Sequence, residues 1–261
     1  MDEDRGSQVG MTPDRSVVNS ASSSVTTSQC HRSNEMDDFR AVIFDMDGLM
    51  LDTESLAREA WFATMRRWGY QLSDDVYLRV LGTTGAHTRE IFRAAFGPDI
   101  PIEAMYDDKQ RYVDEAIASG RIAIKPGLIE LLDWLDARRI PKAVASSTVR
   151  GLVLKKLERV GVAGRFDAIV GGDEVAHGKP APDIFLEAAR RLNVLPADCV
   201  ALEDSENGVR AAHAAGMSVI MVPDLKPPAD EVRTLAHRVV TSLHEAKQAL
   251  EAMDKKRKTK A

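Results

Sequence analysis

The sequence predicts an α/β protein: a Rossmann-like parallel sheet core with an α-helical cap domain inserted just after the first strand. Three observations carry that expectation. Five short apolar runs, at 40–44, 141–145, 166–170, 199–202 and 218–222, alternate with helical patterns. Each run is rich in aliphatic residues on both of its faces, as strands in the middle of a parallel sheet are. One interval, 53–123, breaks the alternation with helical patterns and no convincing strand.

The first run ends at Phe44 and leads into the inserted interval. There Trp61, Phe62, Met65 and Trp68 suit one amphipathic helix, Ile91, Phe92, Ala95 and Phe96 a second, and Met105, Tyr112 and Ile117 a third. The chain then returns to the alternating pattern. Pro126 stands near the start of a helix whose apolar stripe is Leu128, Leu131, Leu132 and Leu135. Leu152, Val153, Leu157 and Val160 form the next stripe, and Phe185, Ala188, Ala189 and Leu192 follow Pro182. Gly208, Val209, Ala211, Ala212 and Ala215 suggest a short helix closed by Gly216. Strands alternating with helices imply parallel pairing through right-handed crossovers.

These patterns divide the chain into a disordered tail (1–36), a core (37–52 and 124–250), a cap (53–123) and a basic tail (251–261). The first segment is rich in Ser, Thr, Asp and Asn and has too little apolar surface to offset its ordering entropy. Met36 lies directly before the first structured residues and is an alternative start to Met1. The closing Lys255-Lys256-Arg257-Lys258 reads as a solvated helix end rather than a nucleic-acid contact.

Composition narrows the class further. Apolar residues make up 44% of 261, enough for a substantial core, and the net charge is -5. That balance gives no reason to expect nucleic acid or an anionic membrane as partner. No apolar stretch approaches a membrane span, and the opening Met1-Asp2-Glu3-Asp4 lacks the features of a secretory signal. Two cysteines, Cys30 and Cys199, give no disulfide framework, so a cytoplasmic setting is expected. No long heptad pattern is present, and a monomer is expected.

Chemistry in an open parallel sheet gathers outside the carboxyl ends of the strands. After the first run come Asp45-Met46-Asp47-Gly48, two acids that point the same way if the chain stays extended. Ser146, Ser147 and Thr148 follow the second run and offer hydroxyls suited to a phosphate. Gly171-Gly172-Asp173 and then Lys179-Pro180 follow the third, and Glu203-Asp204-Ser205 the fourth. Two carboxylates about 4 Å apart repel by roughly 1 kcal/mol in water and about 4 kcal/mol at an effective dielectric of 20. Such a cluster persists because a cation occupies it or because some groups are protonated. Hard oxygen ligands without a nearby His or Cys indicate Mg²⁺ rather than Zn²⁺. His87, His177 and His213 have no ligand-spaced partners, and Gly172 to Lys179 has the wrong spacing for a phosphate-binding P-loop.

Asp45-x-Asp47-Gly48, Ser146, Lys179-Pro180 and Glu203-Asp204 resemble, in order, the four motifs of the haloacid dehalogenase superfamily. The stretches Gly178-Lys179-Pro180-Ala181-Pro182-Asp183 and Leu202-Glu203-Asp204-Ser205-Glu206-Asn207-Gly208 are similar to the branch holding sugar-phosphate phosphatases and β-phosphoglucomutase. The resemblance covers about residues 39 to 247. It implies that Asp45 is a nucleophile forming an aspartyl-phosphate and that Asp47 is the general acid/base. Neighbouring carboxylates are expected to favour the neutral form of Asp47 that its role requires. The resemblance further implies Mg²⁺ held by Asp45, the backbone carbonyl of Asp47 and Asp204, with Glu203 in support. Ser146, Ser147 and Lys179 are implied to bind the transferred phosphoryl group.

The second acid, Asp47, is missing from dehalogenases and phosphonate-cleaving members of the superfamily, so phosphate esters are the expected substrates. β-Phosphoglucomutase carries a cap histidine where this chain has Ala57. It also carries an arginine in the loop that here reads Gly82-Thr83-Thr84-Gly85. The expectation is therefore a phosphatase acting on a small phosphorylated metabolite, a sugar phosphate or nucleotide-like compound. A phosphosugar mutase or a non-catalytic sensor of phosphorylated metabolites are the alternatives. Glu54, Arg58, Thr83, Thr84, His87 and Arg89 are candidate cap residues for reading the leaving group. Asp52-Thr53 admits two readings, a helix cap and a gate.

Overall fold

The structure, a computed structural model, describes residues 39–260 except 82, 84 and 225, and describes side chains as far as residue 255. The expected N-terminal tail and the choice between Met1 and Met36 lie outside the described residues, as does Thr84.

All five apolar runs form strands: β1 Ala41–Phe44, β2 Lys142–Ala145, β3 Ala168–Val170, β4 Cys199–Glu203 and β5 Ser218–Met221. A sixth, β6 Arg238–Val239, extends the edge. The order is β3-β2-β1-β4-β5-β6 and every pairing is parallel. Sequence reading misses β6 because it is two residues long and carries no apolar run.

Successive residues of a strand face opposite sides, so each strand serves two cores. Val42, Phe44, Val144, Val200, Leu202 and Ile220 face one side. They are covered by α5 (Leu128–Ala137), α6 (Arg150–Arg159) and α10 (Leu243–Lys260) through Leu131, Leu135, Val153, Leu157, Ala246 and Leu250. The other face presents smaller residues, Ala41, Ala143, Ala145 and Ala201, against Phe185 and Ala188 of α7 (Asp183–Leu192) and Val209 and Ala212 of α8 (Glu206–Ala214). Gly216, at φ +78°, closes α8 in the left-handed conformation that the sequence suggests. The last helix runs through the expected tail boundary at 251: Met253 and Asp254 are buried, and Arg138 pairs with Asp254 at 3.3 Å.

The inserted interval forms α1 Thr53–Arg67, α2 Asp74–Val80, α3 Gly85–Phe96 and α4 Ile102–Ala118. These helices bury an apolar cluster of their own, including Trp61, Met65, Tyr77, Phe92 and Met105. Trp61 meets Phe92 and Tyr106 edge to face, each with centroids 4.9 Å apart. Two readings are corrected here. The short helix α2 is absent from the periodicity reading because its seven residues bury only Tyr77 and Val80; its start was marked by Ser73, which caps Val76 N at 3.4 Å, and by Asp74 and Asp75. Trp68 ends α1 instead of joining its buried stripe and is 39% exposed, with Nε1 donating to buried Asp108.

The chain leaves and re-enters the sheet side by side. Asp52 N donates to Ala123 O and Lys125 N to Met50 O, both at 2.9 Å, around a Leu51–Ile124 bridge. Asp52 also caps α1, accepting from Ser55 N at 3.3 Å, which is the first of its two sequence readings. No helix among the described residues is long and apolar enough to cross a membrane.

Candidate active site

The carboxyl end of β1 sits between β2 and β4, so whatever follows Phe44 emerges at the middle of the sheet. Asp45 N still bonds Leu202 O at 2.9 Å, which fixes its buried side chain at the strand end. Lys179 Nζ lies 2.5 Å from Asp45 Oδ1, 2.5 Å from Glu203 Oε1 and 3.1 Å from Ala145 O. One ammonium thus joins three neighbouring strand ends. The other oxygen of Glu203 accepts from Ser205 N at 2.9 Å and Ser205 Oγ at 3.0 Å.

Burial pushes the Asp45 carboxyl up to about 7; Lys179 opposes this while Glu203 and Asp47 add to it. Asp204 is also raised well above the usual carboxylate range, by burial first and then by Glu203 and Asp45. Burial acts to lower Lys179, but Asp45 and Glu203 outweigh it and hold the ammonium above the usual lysine range.

Asp47 has partners of its own. Its Oδ1 accepts from Lys156 Nζ at 2.6 Å, and its Oδ2 from Thr148 Oγ1 at 2.7 Å and Ser146 Oγ at 3.3 Å. The groups bonded to Asp47 are therefore an ammonium and two hydroxyls, and the carboxyl of Asp45 is its electrostatic neighbour. Gly48 follows at φ +88°, and a Cβ there would stand 2.2 Å from Asp204 Oδ2. Only glycine allows the backbone so close to that carboxylate.

A cleft of about 490 Å³ opens beside these groups. The core contributes Ser147, Lys179, Asp204, Asn207 and Asp224 to its wall, and the inserted segment contributes Glu54, Leu81 and Thr83. Residues 39–216 match the haloacid dehalogenase-like hydrolase family. The chain belongs to that family.

Among its relatives is the phosphorylated carbohydrates phosphatase of Thermotoga maritima, 34% identical over 81% of this chain and 90% of the relative. The fructose-1-phosphate phosphatase YqaB of Escherichia coli is 32% identical over 70% of this chain and 96% of the relative. A crystal structure of CbbY from Rhodobacter sphaeroides in complex with phosphate superposes with a TM-score of 0.65 at 33% identity, covering 79% of this chain and 96% of that one.

The hydrolase core brings together Asp45, Asp47, Ser146, Lys179, Glu203 and Asp204, with Ser147 on the cleft wall. Among the described residues, no three His, Cys, Asp or Glu side chains converge as a ready-made metal cage. The reason is visible in the contacts: Glu203 is taken up by Lys179 and Ser205, and the Asp47 carboxylate by Lys156 and Thr148. Glu203 is thus held away from the cleft by Lys179 and Ser205, while Asp204 and Asp224 lie on the cleft wall.

The leaving-group candidates divide. Glu54 and Thr83 line the cleft. Arg58 instead pairs with Asp74 and lies 4.5 Å over the Phe62 ring. Arg89 forms a forked pair with Glu103 and lies 4.1 Å over Tyr106, and His87 Nδ1 lies 3.0 Å from Glu90. Each of these three side chains has an acidic neighbour on the segment's own helices, and none of the three is in the cleft wall.

Sequence reading missed Lys156, Lys109 and the Asp224–Lys125 pair around the site. Lys156, the second lysine of Lys155-Lys156 on α6, has a side chain only 8% exposed. Lys109 of α4 shares the electrostatic field of Glu54, Lys156 and Asp47; burial lowers its pKa and Glu54 opposes this. Asp224 follows β5, where the strand-end rule applied to the other strands also points to it. Its Oδ1 lies 2.6 Å from Lys125 Nζ, whereas its buried Oδ2 has no hydrogen-bond partner.

Packing at Glu203 yields a direct test of this geometry. A Cβ at Gly208 would stand 1.7 Å from Glu203 Oε1. Gly208→Ala is expected to destabilise the fold by about 3 kcal/mol, the upper end for overpacking, read as a lower urea midpoint.

Proposed function

We propose that this hydrolase is a Mg²⁺-dependent phosphatase of small phosphorylated sugars that works through an aspartyl-phosphate on Asp45. The observation that carries the reading is the pairing of buried Asp45 with Lys179 at 2.5 Å beside a second acid, Asp47, two residues on. Asp45 attacks phosphorus, and the bond from phosphorus to the sugar oxygen breaks. Asp47 gives its proton to the departing oxygen. It then takes a proton from water as that water attacks phosphorus, and the bond to Asp45 breaks. Lys179 and the Ser146 and Ser147 hydroxyls stabilise charge on the phosphoryl oxygens.

The donor set suits a hard divalent cation. Asp45 and Asp204 are oxygen donors whose charged forms burial disfavours in the absence of a cation, and Gly48 brings the backbone of the nucleophile loop against Asp204. Asp45, Asp204 and the backbone carbonyl of Asp47 would hold Mg²⁺, which would offset the negative charge of the phosphoryl group in transfer.

The substrate class rests on the relatives, named as phosphatases of phosphorylated carbohydrates and of fructose 1-phosphate, and on the polar wall of the cleft. The inserted helices act as a cap over this cleft, with Glu54 and Thr83 turned toward the leaving group and Lys109 adding positive charge. The test is phosphate release from a panel of sugar phosphates and nucleotides with Mg²⁺ and with chelator. Release confined to sugar phosphates and dependent on Mg²⁺ is expected; release only from nucleotides, or none, contradicts the reading.

Cap residues are expected to separate cleanly. Lys109→Met is expected to raise KM by about tenfold, roughly 1.4 kcal/mol of binding. Arg89→Ala, whose guanidinium is tied to Glu103, is expected to change kcat/KM by less than about threefold. Steady-state kinetics on the best panel substrate checks both.

A further inference from the structure

We infer that Lys156, together with Thr148, is a positioning device that fixes the orientation of the Asp47 carboxylate for proton transfer. The inference rests on the phosphatase reading and goes beyond it, because neither residue belongs to the four motifs that carry the resemblance.

Lysine is almost never fully buried unless it is paired. Lys156 sits two-thirds of the way along α6 with its side chain 8% exposed, and the partner it reaches is Asp47 Oδ1 at 2.6 Å. Asp47 belongs to the loop after β1, whereas Lys156 belongs to a helix of the β2–β3 crossover, so the contact ties two separate chain segments. Thr148, in the loop that opens α6, holds the second oxygen at 2.7 Å, and Ser146 adds a weaker contact at 3.3 Å. Ser146 is itself fixed, since its Oγ accepts from Thr148 N at 3.1 Å.

The two carboxyl oxygens of Asp47 offer about four lone-pair sites; three donors occupy three of them, and the proton that Asp47 carries in the acid step takes the fourth. Both χ angles of Asp47 are thereby restrained, leaving one sector of the carboxylate for the reacting oxygen. A proton donor held in this way needs no reorientation when the ester arrives, and misplacement of a reacting group by about 1 Å can cost on the order of 100-fold. In this role Lys156 needs no contact with the ester. It acts through Asp47.

The role predicts a pattern that simple packing does not. A sugar leaves as a poor leaving group and needs the proton of Asp47, whereas p-nitrophenolate leaves without one. The kcat/KM of each ester reports the steps through alcohol release. For Lys156→Met, kcat/KM on the best sugar phosphate of the panel is expected to fall about 10- to 100-fold, and on p-nitrophenyl phosphate by less than about threefold. Asp47→Asn is expected to show the same asymmetry. Lys156→Met added to Asp47→Asn is expected to lower activity no further, because residues acting as a unit are not additive. Inhibition by inorganic phosphate should be unchanged, showing an intact phosphate site. Should Lys156→Met fail to fold, Thr148→Val is close to isosteric and carries the same comparison. Equal losses on the two esters, additivity in the Asp47→Asn background, or unimpaired turnover overturns the inference while the phosphatase reading stands. A wild-type chain that releases phosphate from neither ester overturns both.

Discussion

Asp45→Asn is expected to abolish turnover, lowering kcat by on the order of 10⁴-fold or more, as removal of a covalent nucleophile does in other enzymes. The amide keeps the shape of the carboxylate and an oxygen for Lys179, so binding of a phosphate ester should survive the loss of chemistry. Stability should respond in the opposite direction. Burial holds the folded-state pKa of Asp45 at about 7, against an unfolded carboxylate near 3.9. The folded state therefore keeps a proton that the unfolded state gives up between about pH 4 and 7. In chelator, the wild type should lose stability as pH rises through that window, and Asp45→Asn should lack that component. Paired urea titrations at pH 4.5 and 7.5 measure the difference.

Lys179→Met carries the second large effect, and here the fold suffers with the chemistry. Lys179 is 6% exposed and lies between Asp45 and fully buried Glu203, at 2.5 Å from each. Taking away its charge leaves two carboxylates uncompensated in the sheet centre. Breaking a buried pair in this way costs about 3–5 kcal/mol. For a domain of this size that corresponds to a fall in Tm of roughly 6–20 °C. Activity should fall on the order of 10³-fold, because the proposed mechanism uses the Lys179 charge to stabilise the transferred phosphoryl group. Adding Glu203→Gln to Lys179→Met should restore part of the stability and none of the turnover. That dissociation identifies charge compensation, rather than packing, as the source of the loss. Calorimetry and phosphate release on the two variants provide both readings.

The core was legible because its signals are local. A buried parallel strand must be apolar on both faces, and five such runs named the sheet. The residues after each run named Asp45, Asp47, Ser146, Lys179, Glu203 and Asp204. The two-residue β6 and the seven-residue α2 were too short to show a period. The cleft wall was harder to read for a different reason. Whether an arginine faces a substrate or a neighbouring acid depends on where Glu103 and Asp74 fall in space, and sequence spacing of 14 or 16 residues does not reveal that. Lys156 stayed hidden in the same way: it lies 109 residues from Asp47 in sequence, and only the β1–β2 pairing brings α6 to the loop after β1.

Acid-quenched single turnover with a sugar phosphate and Mg²⁺, followed by peptide mapping, tests the central claim most directly. A transient phosphate-sized mass increase on the peptide containing Asp45, formed and lost at rates consistent with turnover and absent from Asp45→Asn, is the predicted result. Phosphate release with no labelled peptide at any time, and full activity retained in Asp45→Asn, would contradict the account.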